Sequence, residues 1–322
     1  MGLINSDIPE LEGTDTETAL SNLDELEREL EPLLERRLAH IAELADSIVS
    51  DGEDEDIIKS IILSVRYDPE MTSDRISEIN ARDIKALCCG LSLAERLILL
   101  RQICSRLYSS KNPYFKNYFS AYSVSASLAP GKIAYLKNSY NDAAYLAFSH
   151  HLHSPTSYYA QSVTEVCEAV LDGTCEYCIL PLQTASDGKL LSFYRLILKY
   201  GLKINLVYDM PGRTNGDHTV YALLSRSVLT DNVTRLKTKD KRFDFMVSSF
   251  DGVSIAEIMM AAQLCSLELC SVDTMPLQIA DGQIKEYFCL SYRTGSADIN
   301  TFLSYLSIDC PDFIPIGMYS KI

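Results

Sequence analysis

The hydrophobic period of this chain changes once, near residue 132, and that change limits the folds open to it. Before it, apolar residues recur in steps of three and four, with one of five, at Leu23, Leu26, Leu30, Leu33, Leu38, Ile41, Leu44 and Ile48. This stripe predicts one long amphipathic helix over 21–49, with Ser21 as its N-cap. A second helix is expected over Ile57, Ile58, Ile61, Ile62 and Val65, and a third from "SLAE", where Ser92 and Glu95 match a capping box. After the change, short apolar runs alternate with helical ones. "KIAYL" reads as a strand, "DAAYLAFSHHL" and "SVTEVCEAVLDG" as helices, and "YCILPL" as a strand. The helix "KLLSFYRLILKY", stopped by Gly201, and the strand "KINLVYD" follow. Alternation of this length predicts a parallel sheet with helices on both faces and ligands beyond the strands' carboxyl ends. From 243 the order becomes βαββαβ, with a turn at Asp281-Gly282, which is the split βαβ or ferredoxin-like arrangement.

Net charge is confined to one end. Of 44 acidic residues, 18 lie in 1–56 against Arg28, Arg36 and Arg37, which leaves 26 acidic and 26 basic residues in the other 266. An acidic first segment on a neutral body argues against nucleic acid as a partner. No apolar run approaches a membrane span of about 20 residues. The start "GLINSDIPELEG" lacks the basic and apolar regions of a signal peptide, so a cytoplasmic protein without a membrane segment is expected. The 10 cysteines fall mostly within apolar stretches, as small hydrophobes in a reducing compartment do. Cys175 and Cys178 form one CxxC with no second pair, on a strand where the spacing places them on opposite faces. His150, His151 and His153 read as a helix end and loop, since no Asp, Glu or Cys stands beside them at ligand spacing. Neither metal nor cofactor is expected.

The sharpest local signal is "EYCILPLQTASDGKL" (176–190), an apolar strand that turns abruptly small and polar just before a helix. Loops of hydroxyls, amide and glycine at a helix N-terminus hold anionic ligands on free backbone amides.

With the preceding helix, "SVTEVCEAVLDGTCEYCILPLQTASDG" resembles the bifunctional chorismate mutase–prephenate dehydratase proteins. It is similar to their stretch ending P-I-E-N-[ST]-[ST]-x-G, keeping Pro181, Ser186 and Gly188. Gln183 stands for the Glu, Thr184 for the Asn and Ala185 for the first hydroxyl. "IAYLKNSYNDAAYLAF" resembles the family's first strand and helix, "LDELERELEPLLERRLAHIAEL" its mutase helix, and the C-terminal third an ACT domain. The resemblance implies a multidomain α + α/β + α+β chain: 1–18 disordered, 19–109 a helical mutase-like domain, 110–131 a linker, 132–230 a dehydratase-like lobe, and 243–322 an ACT domain.

The departures from the family carry the functional expectation. Of three cations a mutase directs at its dicarboxylate substrate, Arg36 keeps one, while Ala19 and Ser47 stand where the others would be. In "HTVYALLS", Thr219 matches the family's catalytic Thr, but Val220 and Tyr221 replace the Arg and Phe that follow it. The second lobe before this strand has shrunk to "MPGRTNGD". A cleft with one wall neither excludes water nor positions a substrate from both sides. The ACT effector positions read Gly252, Val253, Asp273 and Thr274, with Met275 for an Arg. The resemblance therefore implies a homodimeric, non-catalytic regulatory or ligand-binding protein of phenylalanine synthesis. It would take an aromatic amino acid or small dicarboxylate through Gln183, Thr184, Ser186 and Gly188. The alternative is an active dehydratase or mutase working as a dimer, with Thr219 as proton donor.

Overall fold

The structure, a computed structural model, describes residues 16–50, 90–109, 131–152, 154–184, 188–211, 218–226, 241–248, 253–278, 284–294, 298–310 and 313–322. The expected helix over 57–65, the linker and the Asp281-Gly282 turn lie outside them.

Helix α1 (Thr16–Ser50) runs past the expected N-cap, so Ser21 sits inside the helix and caps nothing. Among the described residues, only its C-terminal half meets the other elements. Ile41 and Ala45 are buried, while Leu26, Leu30, Leu33, Leu34 and Leu38 remain exposed. Helix α2 (Leu93–Ser109) starts on the capping box read from the sequence. The Glu95 amide donates to Ser92 Oγ at 3.3 Å, and the Ser92 amide donates to Glu95 Oε2 at 2.8 Å. Arg37 of α1 closes on the same carboxylate, donating from Nη2 to Oε2 at 3.2 Å. Hydrogen bonds from Arg37 and Ser92 hold the Glu95 carboxyl down at about 2.

The remaining described elements form one mixed sheet. In chain order they are β1 (Lys132–Leu136), α3 (Ser139–Ser149), β2 (Thr156–Ala160), α4 (Val163–Leu171), β3 (Tyr177–Thr184), β4 (Gly188–Lys189), α5 (Leu191–Tyr200), β5 (Lys203–Pro211) and β6 (His218–Ser225). Then come β7 (Lys241–Ser248), α6 (Ile255–Leu264), β8 (Glu268–Gln278), β9 (Ile284–Arg293), α7 (Ile299–Asp309) and β10 (Ile314–Lys321). The strand order is β2-β1-β3-β6-β5-β10-β7-β9-β8, with β4 folded onto β3.

Two halves meet in this sheet. β10-β7-β9-β8, antiparallel throughout, has the order of a split βαβ unit, as the C-terminal pattern predicts. β1 and β3 pair in parallel, as expected, and β2 adds in parallel beside β1, but β6 enters antiparallel between β3 and β5. β2 is a strand the sequence did not announce. "TSYYA" lacks apolar alternation because it is the outermost strand, where partial exposure tolerates Thr, Ser and Tyr. β10 pairs with β5 on one side and β7 on the other, so the two halves share backbone hydrogen bonds.

Three buried clusters follow. Under α6 and α7, Phe245, Leu290, Phe302 and Leu306 join Leu97, Leu100 and Ile103 of α2 and Ile41 of α1. The N-terminal helices are thereby an outer layer on the C-terminal unit. Arg96 of α2 fastens them, donating to Asp309 at 2.8 Å and to Glu257 at 2.7 Å. On the opposite face, α4 and α5 cover β3, β5 and β6 and extend over β7, β9 and β10 through Tyr194, Met246, Cys289 and Tyr319. Helix α3 covers the remaining patch around Tyr135, Phe148, Tyr221 and Leu223.

The CxxC expectation needs correction. Cys175 precedes β3 rather than lying in it, so strand alternation does not apply, and both thiols enter the cluster under α4 with Cys167. Both are free and buried, and burial pushes the Cys175 thiol up to about 11 and Cys178 well above its ordinary value. They are core residues. Among the described residues no group of three His, Cys, Asp or Glu could hold a metal ion, and no helix is long and apolar enough to cross a membrane.

Candidate functional site at the carboxyl edge of the sheet

The ends of β1, β3 and β5 lie along one sheet edge together with the start of β6, and the helix starts of α3 and α4 open there. Both helix starts are already filled. Asn138 accepts from the amides of Tyr140 and Asn141 at 3.1 and 2.8 Å. Ser162 Oγ accepts from the Glu165 amide at 3.1 Å, and the Glu165 carboxylate reaches back to the Gln161 amide at 2.7 Å. Helix α5 differs, because its N-cap is Leu190, which makes no side-chain cap.

The loop expected between strand and helix is instead a hairpin. Gly188 pairs back with Thr184 and Lys189 with Gln183, and the Leu190 amide donates to Leu182 O at 3.0 Å. Gly188 takes φ +65°, a left-handed conformation that favours glycine, which explains its place in the motif. Ser186 lies outside the described residues.

Thr184 and Thr219, which the resemblance implies as a substrate ligand and a proton donor, are direct cross-strand partners. Gln183 is opposite Val220. The β3–β6 register slips between Pro181 and Gln183, where proline has no amide to continue the ladder. The slip determines the faces. Val220 is buried under α4 and α5, whereas Tyr221 is buried under α3. Alternation places Thr219, and with it Thr184, on the α3 face. Gln183 takes the α5 face with Val220. The structure thus brings the two threonines together and separates them from Gln183 by the thickness of the sheet.

One cation of this edge is on the Gln183 side, while Lys137, just past β1, stacks over Tyr159 on the α3 side. Lys189, which sequence reasoning did not single out, donates from Nζ to Ser271 Oγ at 2.9 Å and to Asp273 Oδ2. Burial alone would lower its ammonium, but the hydrogen bond to Asp273 and the nearby negative groups raise it above its ordinary value. No sequence pattern links Lys189 to Asp273, 84 positions away.

The implied effector set also divides. Asp273 faces Lys189, whereas its neighbour Thr274 is exposed on the other side of β8, and Val253 packs against the cluster under α6. Gly252 is not among the described residues. Met275 is buried under α5. On α1, Arg36 is exposed, and its neighbour Arg37 makes the contact with α2.

Behind Lys189, Asp244 of β7 is 2% exposed and accepts from the Tyr319 hydroxyl at 2.9 Å. Burial pushes its carboxyl above the ordinary range, against nearby Ser291, the charge of Lys189 and the hydrogen bond from Tyr319. Below the unfolded-state value both states hold the proton and nothing is lost. As pH rises through the folded value, the native state must carry a buried charge and loses stability. Asp244→Asn is therefore expected to stabilise the protein at pH 7.5, with the gain vanishing near pH 4. Urea unfolding at both pH values checks this.

The described chain is a mixed α/β protein with a large sheet. No family model matches it, and no curated protein does. Solved structures overlap with 59% of it. A prephenate dehydratase from Streptococcus mutans shares 15% identity, with 98% of that chain covered at a TM-score of 0.47. A protein described as a novel type of quorum quenching acylase shares 17%, with 94% covered at 0.43. A prephenate dehydratase from Arthrobacter aurescens in complex with L-Phe shares 10%, with 90% covered at 0.43. At these identities and scores the likeness assigns the chain neither a reaction nor a ligand.

Proposed function

We propose that this chain is a non-catalytic binding protein of the prephenate dehydratase type, linked to aromatic amino acid synthesis and responsive to a small carboxylate or aromatic amino acid. One observation carries the proposal. The hydroxyl pair Thr184 and Thr219 and the cation Lys189 are on opposite faces of the sheet. Dehydration with decarboxylation needs a proton donor at the departing hydroxyl and a clamp on the carboxylates of the same molecule. A substrate seated on the α3 face meets the hydroxyl pair without Lys189, and one on the α5 face meets Lys189 without the hydroxyl pair. The shortened interval before β6 supports the same reading, since the second wall of a cleft is missing from the sequence. The α1–α2 layer takes the place of a mutase domain, with Arg36 as a solvent-facing remnant. The split βαβ unit serves as an ACT-like element. The exposed leucines of α1 suit pairing with a second copy, and the protein is taken as cytoplasmic.

A second reading has its own support. Thr184 and Thr219 in register form a pair of hydroxyls that a dehydratase active across a dimer would use. Binding is tested first by calorimetry and thermal shift with phenylalanine, tyrosine, tryptophan, chorismate, prephenate and phenylpyruvate. Saturation at a hundred times the dissociation constant adds about 2.7 kcal/mol of stability. The proposal expects a response to a carboxylate or an aromatic amino acid, and silence from all six removes it.

A further inference from the structure

Lys189 and its partners are built as a receptor for a carboxylate. Its ammonium and the Ser271 hydroxyl converge on one oxygen of Asp273, with Ser271 Oγ 3.2 Å from Oδ2. Two donors meeting on a carboxylate oxygen, one of them charged, is the way proteins hold a ligand carboxylate. The donors are fixed by backbone. Lys189 is paired with Gln183 in the hairpin, and Ser271 is paired with Ser291 within the β8–β9 ladder. The acceptor is a short side chain that reaches water, with Asp273 38% exposed and Lys189 25% exposed. The surroundings suit an apolar ligand body, because Leu190 and Leu191 beside the hairpin are only partly buried against the cluster under α5. Asp244 is also near enough to bear on the Lys189 charge, so Lys189 keeps an acidic neighbour when Asp273 moves away.

We infer that Lys189 and Ser271 form a binding site for a small monocarboxylate with an apolar body, and that Asp273 fills this site in the free protein as an internal competitor. A ligand enters by displacing the Asp273 side chain, so the contact is autoinhibitory. The inference rests on the carboxylate-binding function proposed above and adds where the carboxylate is read and what opposes it. It also gives Asp273 a role distinct from direct contact with an amino-acid effector.

The test uses the full chain with phenylpyruvate as probe. Calorimetry compares the wild type with Asp273→Asn, Lys189→Gln and Lys189→Arg, the last keeping the charge as a check on folding. In parallel, acetylation of Lys189 by trace acetic anhydride is followed by mass spectrometry without ligand. Asp273→Asn is expected to bind at least about tenfold tighter than wild type, a change worth about 1.4 kcal/mol. Lys189→Gln should lose binding, and Lys189 should be acetylated several-fold faster in Asp273→Asn. Equal or weaker binding by Asp273→Asn, or undiminished binding by Lys189→Gln, overturns the inference. Unchanged acetylation with binding intact strikes the Asp273 contact alone. Faster acetylation with no binding in any variant removes the carboxylate-binding function, and the competition with it.

Discussion

Gly317→Ala is expected to cost about 3 kcal/mol or more, enough to lower the melting temperature by about 6 °C. A Cβ added there would lie 2.5 Å from the carbonyl oxygen, 2.7 Å from the Cβ and 2.8 Å from the amide nitrogen of Ile204. Two of these three atoms are backbone, so no side-chain rotation relieves the clash. Gly317 faces Ile204 of β5 on one side and Asp244 of β7 on the other, and both ladders slip register next to it. Relief therefore requires β5 and β10 to part at the seam where the two halves of the sheet join. Thermal and urea unfolding of the variant measure the effect. A wild-type midpoint would mean that the halves do not meet through this strand pair.

The second large effect is expected at Arg96. Its guanidinium binds Asp309 and Glu257, and the Asp309 side chain is only 7% exposed. Removing the cation leaves a largely enclosed carboxylate without its arginine, which costs several kcal/mol when a pair is fully buried. With Arg96 itself 18% exposed, Arg96→Ala should cost about 2 kcal/mol. Arg96→Lys should recover part of this, since one ammonium cannot span both carboxylates with the fork geometry of arginine. Hydrogen exchange should localise the loss to α2, α6 and α7, the helices the residue ties together. A uniform loss across the sheet would contradict the assignment of α2 as an outer layer.

Much of this architecture was legible in local pattern. The split βαβ order followed from alternation, Gly201 ends α5 in the left-handed conformation, and Ser92 and Ser162 cap the helices they precede. Errors came where long-range pairing decides. "TSYYA" becomes a strand because β1 offers it an edge, and "HTVYALLS" runs antiparallel because of where it is inserted between β3 and β5. The site shows the same division most clearly. Gln183, Thr184, Gly188 and Thr219 were all picked out by resemblance, and all lie at one sheet edge. Which face each takes depends on a one-residue slip beside Pro181, and period-2 geometry turns such a slip into a change of side. Lys189 carried no signal at all, since its importance comes from a strand far along the chain.

The hydroxyl pair and Lys189, on opposite faces of the sheet, cannot act on one substrate molecule. The most direct measurement is turnover: excess prephenate incubated with the purified full chain, with phenylpyruvate followed over hours at a protein concentration high enough to detect a single turnover. The account predicts no phenylpyruvate above the rate without protein, and no difference between the wild type and Thr219→Ala. Formation of phenylpyruvate by the wild type, lost in Thr219→Ala, would contradict it and establish the threonine pair as a working site.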